Sequence, residues 1–222
     1  MCTFKTFGKV AVILLFSMTV LSYHAFAECK KGEKSIEKGK YGNAIFYYEL
    51  CANNHPDSED LYKLATLYYK GLGASEPRYD SAKNFFNKAA KRGHAPSMLF
   101  LGIMEVEGKG TDSPDITEGY KWFMLASERP ENKWIYGFDT ADTPKSFEYM
   151  KKMDASLSPD QKQKAIELAG LYKEEIIMEQ ANKFFSESEL EEFQNSYKKS
   201  DKDRKVALEN LKSKMASESN KQ

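Results

Sequence analysis

Residues 58–127 contain one pattern written twice, 37 positions apart. Leu64 falls on Leu101, Ala65 on Gly102, Leu67 on Met104, Gly71 on Gly108 and Gly73 on Gly110. The register continues through Pro77 on Pro114, Phe85 on Trp122, Phe86 on Phe123 and Ala89 on Ala126. A period of this length is the signature of a solenoid repeat, a supersecondary unit that cannot bury its apolar face without a neighbour. It constrains the chain to a stack of like units, and stacks of this kind usually serve as binding surfaces.

Each unit reads as a helical hairpin. Leu61, Leu64, Ala65, Tyr68 and Tyr69 fall three, four and seven apart, one face of a helix over 59–70, with a second over 96–107. Gly71 and Gly108 stop these helices, because glycine takes the left-handed conformation of a helix end without steric cost. Gly73 and Gly110 let the chain reverse. Pro77 and Pro114 are expected to open the second helices, where a missing N–H is harmless, and Ser113 is expected to cap the later one. The small pairs Ala65/Gly102 and Ala89/Ala126 permit close helix approach. Phe85, Phe86, Trp122 and Phe123 fill the layers between hairpins.

The string Leu64-Ala65-x-x-Tyr68-x-x-Gly71-x-Gly73, followed by Ala82-x-x-Phe85-x-x-x-Ala89-Ala90 and Gly93-His94, resembles the Sel1-like repeat (SLR) family, helical-hairpin solenoids related to tetratricopeptide repeats. The second copy departs from the pattern at Glu105, in place of the aromatic, and at Gly119, in place of the alanine, which predicts looser packing there. The resemblance implies an all-α, right-handed α-solenoid of about four antiparallel helix pairs with a helical C-terminal extension. No cofactor and no metal are expected, because the residues offer no His-x-x-x-His or paired Cys-x-x-Cys spacing. The resemblance also implies that first helices line a concave face, on which Lys63, Thr66, Lys70, Glu105 and Glu107 would be the outward, partner-binding positions.

Residues 1–27 read as a signal peptide rather than fold. Lys5 and Lys9 form a basic start, residues 10–21 an apolar run, and Ala25-Phe26-Ala27 a cleavage site after Ala27. The run is short of the ~20 residues of a membrane span, and Glu28 stands where a lipoprotein site centred on Cys29 needs a small residue. Losing Lys5 and Lys9 leaves 31 basic against 33 acidic side chains, a net of −2, so no nucleic-acid or membrane-surface partner is indicated. Cys29 and Cys51 remain. An even pair in an exported chain reads as a disulfide. Tyr47, Tyr48, Cys51 and Ala52 also match Phe85, Phe86, Ala89 and Ala90, 38 apart, which makes 28–57 an earlier hairpin and places Cys29 beside Cys51 at its open end. Two free thiols are the alternative. A redox or zinc site lacks the spacing and further ligands.

Beyond Ser127 the register fails. Residues 128–143 hold Pro130, Gly137 and the aromatics Trp134, Tyr136 and Phe138, which either cover the end of the second repeat or form a recognition loop. Thr143-Pro144 and Ser158-Pro159 open two helices, the second similar to the terminal hairpin of the family, so 128–185 is read as loop and C-terminal cap. Residues 186–222 form a polar tail with a capping box at Ser186–Glu189 and a thin stripe of Val206, Leu208, Leu211 and Met215, expected as helix with little burial.

Reactive groups are few. His55 and His94 lie at repeat boundaries, and Gly108-Lys109-Gly110-Thr111 is a repeat turn rather than a phosphate loop. Ser35-x-x-Lys38 and Ser196-x-x-Lys199 match the serine–lysine pair of penicillin-recognising hydrolases, but the Ser-Asp-Asn and Lys-Thr-Gly partners are absent from the mature chain. The leading expectation is a non-catalytic periplasmic or secreted scaffold that binds a protein or peptide, with a secreted effector or virulence-associated adaptor as the alternative and a hydrolase last.

Overall fold

The computed structural model describes residues 28–54, 57–127 and 143–219. Every regular element among them is a helix: α1 (28–37), α2 (Tyr41–Asn54), α3 (Ser58–Lys70), α4 (Tyr79–Ala90), α5 (Ala95–Glu107), α6 (Ile116–Ser127), α7 (Thr143–Asp154), α8 (Pro159–Phe184), α9 (Glu187–Lys199) and α10 (Asp201–Ser219). The fold is an all-α solenoid of helical hairpins. The proposed signal segment with its cleavage after Ala27, His55, and the loop aromatics Trp134, Tyr136 and Phe138 lie outside the described residues. Two compact units are present, one running to Ala90 and including Ile103–Pro114, the other made of Lys91–Gly102 and the chain from Asp115.

In the first unit α2 packs on α3 and α3 on α4. Ala44, Tyr48, Leu61, Leu64, Ala65, Ala82, Phe86, Ala89 and Ala90 are the buried layer, and Phe85, half-buried, stacks on Tyr68 with ring centroids 5.9 Å apart. The hairpins meet through backbone. Gly73, at φ 85°, lies so close to the start of α2 that a Cβ built on it would stand 2.6 Å from the Gly42 nitrogen. Gly110, at φ 69°, approaches Tyr79 at the start of α4 in the same way, at 3.0 Å. Each second turn glycine therefore seats one hairpin on the N-terminus of the preceding second helix, and no side chain fits between.

Pro77 and Pro114 do not open helices. α4 starts at Tyr79, where the Arg78 carbonyl accepts from Ala82, and α6 starts at Ile116 under an Asp115 cap whose Oδ1 accepts from the Glu118 N–H at 2.9 Å. Asp115, not Ser113, is the cap. The prolines instead lie over the helix-ending glycines: Pro77 N would be 2.8 Å from a Cβ on Gly71, and the Pro114 ring 3.0 Å from one on Gly108. The second copy is not loosely packed at its departures. Glu105 and Gly119 are both buried, and elsewhere in that copy Phe123 closes on Gly102, where an added Cβ would come within 2.5 Å of the ring.

In the second unit α6 packs on α7 and α8. Tyr120, Leu157 and Ala165 cluster with Met124, Met150 and Met153, while Trp122 meets Tyr172 edge-on and Phe123 stacks on Tyr149. Ser158 caps α8 through a reciprocal pair with Gln161. The tail is better buried than its composition suggests: α9 and α10 pack on each other and on α8, burying Phe193, Tyr197, Ala207 and Leu211. The stripe on α10 runs through Ala207 and Leu211, and Val206 points to solvent.

Three glycine-to-alanine changes separate the terms in the stacking contact. Gly39, also left-handed but with open space around it, should lose about 1–2 kcal/mol on substitution, the cost of the backbone alone. Gly73→Ala should lose a further ~1–3 kcal/mol from overpacking. Gly170→Ala, in the exposed face of α8 with nothing near, should gain about 0.5–1 kcal/mol. Urea denaturation of the three variants gives the order directly.

Candidate functional site

The disulfide joins Cys29 of α1 to Cys51 of α2, with their Cα atoms 5.3 Å apart. It closes the first hairpin across 22 positions, a constraint worth about 3 kcal/mol in the chain-entropy account. Beside it, on α3, lies Asp60, whose Oδ2 is 3.5 Å from Cys51 Sγ. Burial raises the Asp60 carboxyl above the ordinary range, against the opposing pull of Lys63.

The five positions expected on an outward face do not share one environment. Lys63 is half-buried and held by Glu33 at 2.6 Å and Glu59 at 3.9 Å. Burial works against its charge, but Glu33, Glu59 and Asp60 together keep its pKa raised. Thr66 is half-buried with its hydroxyl shielded from solvent and without a hydrogen bond, so it is not an outward contact. Glu105 is also not outward. It is buried and paired with Lys83 of α4 at 2.8 Å. The position occupied by an aromatic in the first copy carries a desolvated carboxylate in the second, and a carboxylate is tolerated there because a cation from the preceding hairpin reaches it. Lys70 and Glu107 are exposed.

A polar–aromatic cluster surrounds Glu107. Lys109 Nζ lies 2.7 Å from Glu107 Oε2 and donates to the Tyr69 hydroxyl at 3.3 Å, and it stands over the rings of Tyr69 and Tyr79 at 5.1 and 5.5 Å. Glu107, then Tyr69, hold the Lys109 ammonium above its usual pKa. Tyr69 packs edge-on against both Tyr79 and Phe86. Tyr79 also borders an open cleft of about 600 Å³ between the start of α4 and the turn that links α5 to α6, lined by Arg78, Asp80, Ser81, Thr111 and Asp112. The sequence placed Lys109 in a repeat turn without a partner role and gave no sign of Tyr79. For Lys109 the signal was present, since a lysine between the two turn glycines has to project from the turn, but only the fold brings it over Tyr69 and Tyr79.

The other chemical candidates occupy structural positions. His94 is buried and caps α5, its Nδ1 2.9 Å from the Ser97 hydroxyl and accepting from the Ser97 N–H. Ser35 donates its hydroxyl to the Lys31 carbonyl at 2.7 Å. Among the described residues no hydrogen bond joins Ser35 to Lys38 or Ser196 to Lys199. No helix among them is long and apolar enough to cross a membrane.

Hairpins stacked through left-handed turn glycines define a helical-repeat protein. Residues 58–94 and 95–130 each match the family model of the Sel1 repeat, so the chain carries two Sel1 repeats. Protein DSF2 of Saccharomyces cerevisiae is 31% identical over 85 residues, 36% of this chain and 12% of that protein. The crystal structure of c5321, a protective antigen present in uropathogenic Escherichia coli strains displaying an SLR fold, is similar with a TM-score of 0.55 at 20% identity, over 68% of this chain and 30% of that one. The chain therefore spans 12% and 30% of the lengths of these two proteins. Proteins built of Sel1 repeats are typically protein-interaction scaffolds.

The buried tyrosines give a pH signature. Tyr68 donates to Glu49 on the preceding hairpin, and burial, then Glu49, push its phenol up to about 12. Burial likewise raises Tyr48 and Tyr172. A phenol whose folded pKa exceeds its unfolded value of about 10 contributes stability that is complete below about pH 10 and lost as pH rises through the folded value. Far-ultraviolet circular dichroism and tyrosinate absorbance, followed together, should show helix loss coinciding with ionisation of a late-titrating set above pH ~10. In Tyr68→Phe the transition should move to higher pH. Ionisation of all 13 tyrosines with the helices intact would contradict this.

Proposed function

We propose that this chain is an exported, non-catalytic adaptor that holds a protein or peptide partner on its repeat surface. The observation that carries the reading is the cleft bordered by Arg78, Tyr79, Asp80 and Asp112. It lies next to the cluster of Tyr69, Glu107 and Lys109, with exposed Lys70 and Glu107 on the same pair of repeats. Tyrosine and arginine contribute most per residue to protein interfaces, and mixed charge around them favours a polar or zwitterionic peptide segment over an apolar ligand. Residues 28–57 act as the N-terminal cap, with the disulfide pinning α1 to α2. Residues 128–185 supply the C-terminal cap, and 186–222 extend it. A disulfide suits an oxidising compartment, and the similar protein c5321 is described as a protective antigen. Both favour export to the periplasm or beyond.

The test is a cross-linking pull-down from the envelope and culture medium of the producing cell, with full-length protein as bait. Wild type should recover a discrete partner, and Lys70→Glu combined with Asp112→Lys should lose most of it at an unchanged melting temperature. A partner retained by that variant and lost by Trp134→Ala would transfer the interaction to residues 128–142. No partner in either fraction would contradict the adaptor reading.

A further inference from the structure

The disulfide has a third polar neighbour that a simple staple does not need. Cys29 Sγ, Cys51 Sγ and a carboxylate oxygen of Asp60 all lie within 4.8 Å of one another, delivered by three different helices. Cys51 is fully buried, Cys29 nearly so, and Asp60 is half-buried. In the oxidised pair the sulfur facing Asp60 has no hydrogen to donate, so the carboxylate sits against an atom that cannot satisfy it. The Tyr48 hydroxyl, on α2 in a side chain 1% exposed, is likewise without a hydrogen-bond partner, and Asp60 is the carboxylate that acts on it most strongly. A half-buried carboxylate facing a non-donor, with a buried hydroxyl of α2 left without a partner, is polar capacity that a disulfide alone does not use. A cation would use it.

We propose that the reduced Cys29/Cys51 pair, together with Asp60, binds one zinc-class divalent ion. Two thiolates and a carboxylate are ligands that such an ion takes, with the fourth tetrahedral position left for water. Cα atoms 5.3 Å apart suit a disulfide, and rotation about the cysteine side chains would separate the sulfurs to the roughly 3.7 Å that two bonds of about 2.3 Å at a tetrahedral centre require. The chemistry balances. A phosphine and one water reduce the S–S bond to two thiols, the phosphine leaving as its oxide. Metal binding then releases the two thiol protons, and the Asp60 carboxylate becomes a ligand. The first hairpin is thus closed by a disulfide where the surroundings oxidise and by a metal ion where they do not. This does not depend on the partner-binding reading.

Cobalt(II) is the probe, in the full chain carrying Cys2→Ser so that the pair supplies the remaining thiols. After phosphine reduction and chelator treatment, titration should give one equivalent bound with a sulfur-to-cobalt charge-transfer band, displaced by zinc. The oxidised protein should give no such band. Cys51→Ser should abolish the band. Asp60→Asn, which leaves the disulfide available for folding, should weaken binding by about tenfold or more. If reduction lowers the helical circular dichroism signal, cobalt should restore it. Absence of the band in the reduced protein, with or without that restoration, would overturn the proposal, as would an Asp60→Asn variant that binds as tightly as the parent.

Discussion

The fold depends on one steric condition, that two backbones touch where successive hairpins meet. Gly73 against Gly42 and Gly110 against Tyr79 leave no volume for a Cβ, and both glycines stand at positive φ. The positions satisfy two demands at once. The chain must turn through a conformation that L-residues avoid, and the turn must then press on the first residues of the preceding second helix. Relaxing either would lift the next hairpin off its neighbour and expose the apolar layer of Leu64, Phe86 and Ala89. Side-chain packing is thus downstream of a backbone contact, which is why aromatic residues can vary between the copies while the glycines do not.

With the backbones seated, the contact between a first helix and the preceding second helix admits different chemistries. In the first copy Tyr68 reaches Glu49 and carries Arg78 over its ring at 4.7 Å. In the second copy Glu105 occupies the matching position and pairs with Lys83. Both solutions bury polar atoms and both supply a partner from the neighbouring hairpin. The exchange of an aromatic hydrogen bond for an ion pair keeps the stack but changes what each hairpin offers, while the cleft and the Lys109 cluster are built on the non-glycine residues of the turn itself.

The repeat, its hairpins and their glycine turns were legible in the residues because they rest on short-range rules: helical periodicity, left-handed glycine, and a 37-residue register. The juxtaposition of Cys29 and Cys51 followed from the same register. Helix starts were less legible. Pro77 and Pro114 looked like initiators, but each is engaged with a glycine six residues earlier, a contact between two ends of a turn that local preference does not see. The surface was least legible. Glu105 and Thr66 were expected outside because the family resemblance puts first helices on a concave face, whereas their environment is set by Lys83 and by packing within the unit, which no pattern along one helix encodes. The tail shows the same limit, since the burial of Ala207 and Leu211 depends on α9 lying beside α10.

The most direct test of the stacking account is native-state hydrogen exchange read by mass spectrometry on wild type and Gly73→Ala. The account predicts faster exchange in the variant confined to 28–54 and the turn after α3, with the α3–α4 pair keeping its protection, because only the seat of the first hairpin is disturbed. Protection unchanged throughout, or lost evenly across both repeats, would contradict it.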